Sequence, residues 1–333
     1  MKTISRLLAA SALASFAGFA HAAEAPKVLA SFKPIHSLVA GVMQGVGEPG
    51  LVIDTNASPH SYTMKPSDAA KLDKADVVFW IGPGFEAFLE KPLETLGEKA
   101  VSVELSEAPG ITLLDPRTGS TFEKHSHAHE EGADHGDDHD HDAKAEDAGH
   151  DHADHDDHDE EHKDMHIWLD PANARAMVKQ IVATLSKVDP ANAAAYEKNG
   201  ATEEARLDAL DKELVTTLAS TKDRPFIVFH DAYQYLQKRY ELNIAGSITL
   251  SPETPPSAAR IREIHAKIAD LGATCVFSEP PFEPKIVTTL VEGTKAKAGT
   301  LNPEGGAMKP GADLYFDLMR ENAASLVSCL DAK

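Results

Sequence analysis

Residues 124–165 are expected to contribute almost nothing to a core. The segment is almost entirely His, Asp, Glu, Ala and Gly, and a stretch with so little apolar surface cannot offset the conformational entropy lost on ordering. It is expected to be a disordered loop, so whatever folds must be assembled from the sequence on either side of it. From Glu123 through Met165 there are eighteen Asp and Glu against Lys124, Lys144 and Lys163, so this insert carries −15 of a formal net charge of −21. The remainder is only mildly acidic. A chain of this sign excludes nucleic acid as a natural partner, since phosphate binding needs basic surface.

The first 22 residues read as an export signal. Lys2 and Arg6 give a basic start, an apolar run follows from Leu7 to Ala20, and Ala20-His21-Ala22 offers the small residues that a signal peptidase requires. The run is shorter than the roughly 20 residues of a membrane span, and no Cys stands at the cleavage point to accept a lipid. A freely diffusing, monomeric periplasmic protein beginning near Ala23 is expected, with no direct membrane insertion. The 311 residues that remain of 333, with 42% of the chain hydrophobic, exceed what one core comfortably serves and point to two domains.

Short apolar runs alternate with helical spacing on both sides of the insert, the rhythm of parallel sheets flanked by helices in an α/β fold. Strands are expected at Val28 to Ala30, Leu51 to Ile53, Val77 to Ile81, Phe226 to Phe229, Ile244 to Ile248, Cys275 to Phe277 and Ala298 to Leu301. Helices are expected at Ile35 to Met43, Ser67 to Leu72 with a Ser cap, Ala174 to Val188, Pro256 to Leu271, Pro284 to Glu292 and Asp313 to Ser328. A helix restarting at Asp189-Pro190 can run to Leu218 with only Gly200 against it, on the order of 40 Å at 1.5 Å per residue. That length suits a strut between two lobes. The division is then an N-terminal lobe over 23–123, the insert over 124–165, the end of that lobe over 166–188, a connecting helix over 189–219 and a C-terminal lobe over 220–333.

Seventeen His dominate the chemistry, eleven of them in the insert: His125, His127, His129, His135, His139, His141, His150, His152, His155, His158 and His162. Imidazole suits zinc, copper and nickel. A flexible ribbon of His and carboxylates holds such ions weakly, because it must also be ordered around them; the plainer alternative is an incidental acidic linker. Outside the insert, His230 follows the run Phe226 to Phe229, and His60 follows the strand at Leu51 to Ile53. Both lie past the carboxyl ends of strands, the edge where open α/β sheets bind ligands. His166 sits where order resumes. A lone His beside a strand is more often a packing residue, and composition and periodicity do not show that these three meet. Cys275 and Cys329, in an oxidising compartment, would close a loop of roughly 55 residues worth about 4 kcal/mol if bonded. Two buried free thiols are the alternative, and such wide spacing is a poor zinc signature.

Several segments together resemble a known family. Ser58-Pro59-His60-Ser61-Tyr62 with Pro66-Ser67-Asp68, His166-Ile167-Trp168-Leu169-Asp170-Pro171 and Phe229-His230-Asp231-Ala232-Tyr233 look like the three metal-site segments of the periplasmic zinc-binding proteins of ABC importers, the ZnuA type. The Cys pair, Phe277-Ser278-Glu279-Pro280 and the His-rich insert are similar too, in the same order over essentially the whole mature chain. The resemblance implies two α/β lobes joined by one long rigid helix, zinc in the cleft as transported ligand, an inner-membrane ABC permease as partner and no enzymatic activity. It carries ligation onto His60, His166 and His230 and onto no insert residue, and leaves His36 as a packing residue. Some relatives have Glu where Pro59 stands, and many have Asp in the loop Leu301-Asn302-Pro303. Without those carboxylates the expected site is three neutral imidazoles plus one water, with Glu279 behind a ligand.

Three nitrogen donors favour zinc over manganese, although copper would bind them at least as tightly in principle. Two other functions fit such a site. A zinc hydrolase also uses three His and an open position, but the chain has no His-Glu-x-x-His helix and no obvious base beside the three loops. A periplasmic zinc buffer would differ only in feeding no transporter.

Overall fold

The computed structural model describes residues 25–95, 99–117, 163–249, 251–270, 272, 274–280, 282 and 285–331. The expected signal segment 1–22 and the eleven His of the insert lie outside these residues.

Each lobe is organised by a sheet of four parallel strands. In the first, β1 (Val28–Ala30), β2 (Gly50–Leu51), β3 (Val77–Trp80) and β4 (Val101–Glu104) lie in the order β2-β1-β3-β4. The runs of β1 and β3 are buried throughout, which is why they read as continuous apolar stretches: helices cover both faces of a parallel sheet. The helices here are α1 (Lys33–Val42), α2 (Pro66–Leu72), α3 (Ala87–Thr95) and α4 (Pro171–Val188). The second lobe repeats the plan with β5 (Phe226–Val228), β6 (Ile244–Ser247), β7 (Cys275–Ser278) and β8 (Lys297–Thr300) in the order β6-β5-β7-β8.

Between the lobes runs α5 (Ala193–Thr217), 25 residues and roughly 38 Å long. Short 3-10 turns at Pro190–Asn192 and Leu218–Ser220 flank it, so the expected continuous helix is tightened at both ends. Gly200 is needed here: a Cβ would come within 2.3 Å of Val182 on α4, so the one residue that opposes helix formation lets α4 and α5 pack closely. The second lobe's helices are α6 (Gln234–Tyr240), α7 (Ala258–Asp270), α8 (Lys285–Val291) and α9 (Leu314–Leu330). The last of these packs against α1 and α5 as well as β8, tying the lobes together. A Cys275–Cys329 disulfide joins β7 to α9 with the Cα atoms 6.2 Å apart, which removes the free-thiol alternative.

Several elements differ from expectation. The Ser cap on α2 is not made: the helix starts at Pro66, Ser67 lies inside its first turn, and the buried Asp68 carboxylate accepts from Lys65 N–H at 3.0 Å. β4, α3 and α6 were not expected at all. β4 is half exposed, α3 contains Pro92, and α6 has only seven residues, so none carries a full periodic signature.

α4 begins more firmly than its sequence pattern implied. Asp170 is its N-cap, accepting from Ala172 N–H at 2.8 Å, and it also lies 3.1 Å from Arg239 of the other lobe. Asp170→Ala should lower unfolding stability by about 1 kcal/mol, while Asp170→Asn, which keeps a capping oxygen, should lose less. Urea unfolding of the two variants checks this, and equal losses would assign the effect to the ion pair.

Candidate metal centre

The carboxyl ends of both sheets face the cleft, and each sheet reverses its winding between its first and third strands, where a crevice opens. β5 ends into Phe229 and His230, β7 into Glu279, and β8 into the loop that carries Glu304. From the first lobe, the segment after β2 turns through a 3-10 element, Pro59–Ser61, that presents His60; Ser58 caps it by accepting from His60 N–H. Tyr62 fastens the same turn, donating to Asp68 at 2.7 Å. His166 precedes another 3-10 turn, Ile167–Leu169.

The three imidazoles meet. His60 Nε2 lies 3.2 Å from His166 Nε2, and His230 Nε2 lies 3.4 Å from His166 Nε2. Among the described residues they are the group whose donor atoms all lie within 4.8 Å of one another. Zinc–nitrogen bonds of about 2.0–2.1 Å arranged tetrahedrally separate neighbouring ligands by about 3.3–3.4 Å, and these two spacings are close to that. Insert histidines lie outside the described residues, and His36 is elsewhere, buried with Nε2 3.0 Å from Pro49 O.

Outer nitrogens are held by acids. His166 Nδ1 donates to Asp164 Oδ1 at 2.8 Å, and the same oxygen accepts from His166 N–H at 3.0 Å. His230 Nδ1 donates to Glu279, a group flagged by the sequence, and both are almost completely buried. Such partners fix the tautomer that leaves Nε2 free for a metal and raise its basicity. Asp164 escaped notice because it lies among the many acids of the insert.

Glu304 was also missed. Its Oε1 accepts from Ser58 at 2.8 Å and lies 4.0 Å from His60 Nε2. The expectation that this loop offers no carboxylate is therefore corrected. Pro303-Glu304-Gly305-Gly306 reads locally as a turn, yet the rule that singled out His230, a polar residue just past a strand's carboxyl end, applies equally beyond β8. Trp168 sets the loop's position, its buried indole N–H donating to Pro303 O at 2.8 Å while Tyr315 O–H donates to Trp168 O at 2.7 Å.

Burial, reinforced by the neighbouring His166 and His230, holds His60 well below the ordinary imidazole range. Desolvation pushes His230 the same way, but the charge and hydrogen bond of Glu279 outweigh it and raise the pKa. Burial pushes the Glu304 carboxyl up to about 8 against the Ser58 hydrogen bond. A divalent cation reverses such preferences, favouring neutral imidazole and ionised carboxylate.

Two lobes supply this group, and they are locked around it. Arg117 pairs with Asp231, the neighbour of His230, its Nε lying 3.0 Å from Oδ2. Tyr235 O–H accepts from Leu114 N–H at 3.0 Å and donates to Asp164 O. A cavity of about 270 Å³ bordered by His60, Phe85, Arg117, Lys163 and His166 opens from the group toward solvent. No helix among the described residues is long and apolar enough to cross a membrane.

The sequence matches the family described as "Zinc-uptake complex component A periplasmic", ZnuA, over residues 28–329. The chain belongs to the ZnuA family. Curated ZnuA relatives described as high-affinity zinc uptake system proteins include one from Brucella abortus (strain 2308), 50% identical over 332 residues and covering 99% of each chain. Another, from Paracoccus denitrificans (strain Pd 1222), is 37% identical over 311 residues and 93% of each chain. Solved structures with the ZnuA fold include a ZnuA deletion mutant with zinc bound, at TM-score 0.71 and 22% identity, covering 93% of this chain and 99% of that one. Zn(II)-bound AdcA from Streptococcus pneumoniae aligns at TM-score 0.67 and 22% identity over 93% of this chain and 58% of that one. At these identities the two structures establish the fold alone.

Proposed function

We infer that the chain is the zinc-binding solute-binding subunit of an ABC importer, that it works in the periplasm as a monomer, and that it hands zinc to an inner-membrane permease. One observation carries this reading: three imidazoles from both lobes stand 3.2 and 3.4 Å apart at their inner nitrogens. His60, His166 and His230 are the ligands, and a water takes the fourth corner. Glu304 stands behind that water as its hydrogen-bond acceptor, which compensates the ion's charge without committing a fourth protein ligand. Relatives named for high-affinity zinc uptake support the assignment.

The cargo is bound, held and released without being transformed. Binding needs the three Nε2 lone pairs, and Asp164 and Glu279 keep two of those rings in the required tautomer. With α5 as the connector between the lobes, release requires a permease to part loops that belong to different lobes. A hydrolase would use the open corner for an activated water with a general base beside it. Glu304 has the position of such a base, so what keeps the reading with transport is the family match over residues 28–329 and the relatives named for zinc uptake.

Calorimetric zinc titration tests the two-stage scheme in which insert histidines collect zinc weakly for the cleft. Deleting residues 125–162 should lower total zinc stoichiometry and leave one tight site. Loss of the tight site on that deletion would contradict the assignment. A buffer, unlike an importer subunit, would leave cellular zinc uptake unchanged when the protein is removed.

A further inference from the structure

The chain enters the insert through residues 112–117 and leaves it through 163–165, and these two stretches form a root that reaches across the cleft. At its start the root is fixed to the first lobe: Asn173 of α4 accepts from Thr112 N–H at 2.8 Å and donates to Thr112 O at 3.1 Å. Leu114 and Asp164 then pair as an antiparallel bridge, with Asp164 N–H donating to Leu114 O at 2.8 Å. From there the partners lie in the second lobe, on α6 and just before it. The Tyr235 hydroxyl is spliced between the other two polar atoms of the bridge, accepting from Leu114 N–H and donating to Asp164 O. Gln234 donates to Asp115 O at 2.9 Å, and Arg117 donates to Gln237 as well as to Asp231.

Each lobe thereby steadies a histidine of the other. Tyr235, on the second lobe, fixes the main chain of Asp164, whose Oδ1 takes both the ring Nδ1 and the main-chain N–H of His166. In the opposite direction Arg117 forks onto Asp231, the residue that follows His230. A ligand's hold on a metal depends on how firmly its outer partners are placed. Tyr235 is only 2% exposed, so water has little access to replace its hydroxyl, and without it Leu114 N–H loses its partner. The two supports meet in one short stretch of chain, because Leu114 and Arg117 are three residues apart.

We propose that the root of the insert is a latch across the cleft, with Tyr235 and Arg117 as its positioning residues, and that it sets how long zinc stays bound. Closed, it holds the supports of His166 and His230 in register with each other. A partner that lifts the root from α6 loosens both supports in one movement, without touching a ligand. The proposal rests on His166 and His230 being ligands.

The test uses the full chain loaded with zinc alone, and follows the rate at which an excess of chelator withdraws the metal. Tyr235→Phe removes one hydroxyl and should speed dissociation on the order of 10-fold, the low end of what losing a ligand's outer partner costs, because Tyr235 acts through Asp164. Arg117→Gln should do likewise. The double variant should fall short of the product of the two effects, since either cut already frees the root; effects that multiply would mean two independent contacts and overturn the single latch. Tyr196→Phe is the control for stability: that buried hydroxyl donates to Asp189 at 2.9 Å at the start of the connector, so its loss should lower the urea midpoint and leave zinc dissociation unchanged. Equal acceleration in Tyr196→Phe would assign the effect to stability and overturn the latch. His166→Ala, run beside them, separates the two failures. Wild-type dissociation in Tyr235→Phe and Arg117→Gln, with tight binding lost in His166→Ala, overturns the latch alone. Tight binding retained in His166→Ala overturns the ligand assignment and this inference with it.

Discussion

His230→Ala is expected to lower zinc affinity by more than about 100-fold, beyond the 10–100-fold that losing an outer hydrogen-bond partner of a ligand typically costs. Of the three rings it is the most deeply buried, at 1% exposure, and both its nitrogens are committed, Nδ1 to Glu279 and Nε2 to the shared centre. Removing it takes away a ligand and strands a buried carboxylate without its partner, a further penalty of about 1–3 kcal/mol or more. Glu279→Gln separates these effects. It keeps a hydrogen-bond acceptor for the ring but removes the charge, so its loss should stay inside the 10–100-fold range. Competition titration against a chelator measures both, and unfolding curves report the structural share. His36→Ala is the control: that ring is buried against Pro49 O and away from the centre, so zinc affinity should not move. Binding within a few-fold of wild type in His230→Ala would place the tight site elsewhere. Simultaneous replacement of His60, His166 and His230 by Ala should abolish it altogether.

The parts of this molecule that could be read from sequence are those whose chemistry repeats along the chain. β1, β3, β5 and β7 each form a run of apolar residues buried almost throughout, and α4, α7 and α9 are long enough to show one apolar face, so the two-lobe α/β plan was legible. Short or half-exposed elements were not. β4 reads Val-Ser-Val-Glu with only Val103 buried, and α6 follows His230 so closely that its seven residues show no period. At the site, His60, His166 and His230 stand in recognisable segments, while their convergence was not legible, since it depends on the lobes packing through α1, α5 and α9. The acids differ for the same reason. Glu279 sits in a recognisable segment after a strand, whereas Asp164 and Glu304 come near the histidines only through the fold. Asp164 is camouflaged by the charge run before it, and Glu304 is held by a hydrogen bond from Ser58, which lies 246 residues away in sequence.

Breaking the Cys275–Cys329 bond is expected to lower stability by about 4 kcal/mol. The bond closes a loop spanning a sequence separation of 54 residues, and in the unfolded chain its absence frees that loop to expand. The residues it joins explain where the loss should be felt. Cys275 opens β7, and that strand runs four residues to Ser278 and then Glu279, the acid that holds His230; Cys329 lies one residue from the end of α9, the helix that also packs on the first lobe. Both sulfurs are buried among apolar neighbours in the main core, so replacing both Cys by Ser would add the burden of burying hydroxyl groups. The double Ala variant is the cleaner comparison, since it removes the cross-link while leaving apolar side chains. Its urea midpoint should fall and the slope of the transition should rise modestly, because the unfolded chain without the cross-link expands and exposes more surface. Zinc affinity should remain close to wild type at temperatures where the variant is folded, since β7 is still paired with β5 and β8 on both sides and keeps Glu279 in place. An unchanged midpoint would mean that the unfolded chain is already compact enough for the cross-link to remove little freedom. A large fall in zinc affinity with stability intact would instead assign the bond to holding the ligand geometry, through β7 and Glu279, rather than to restraining the unfolded chain.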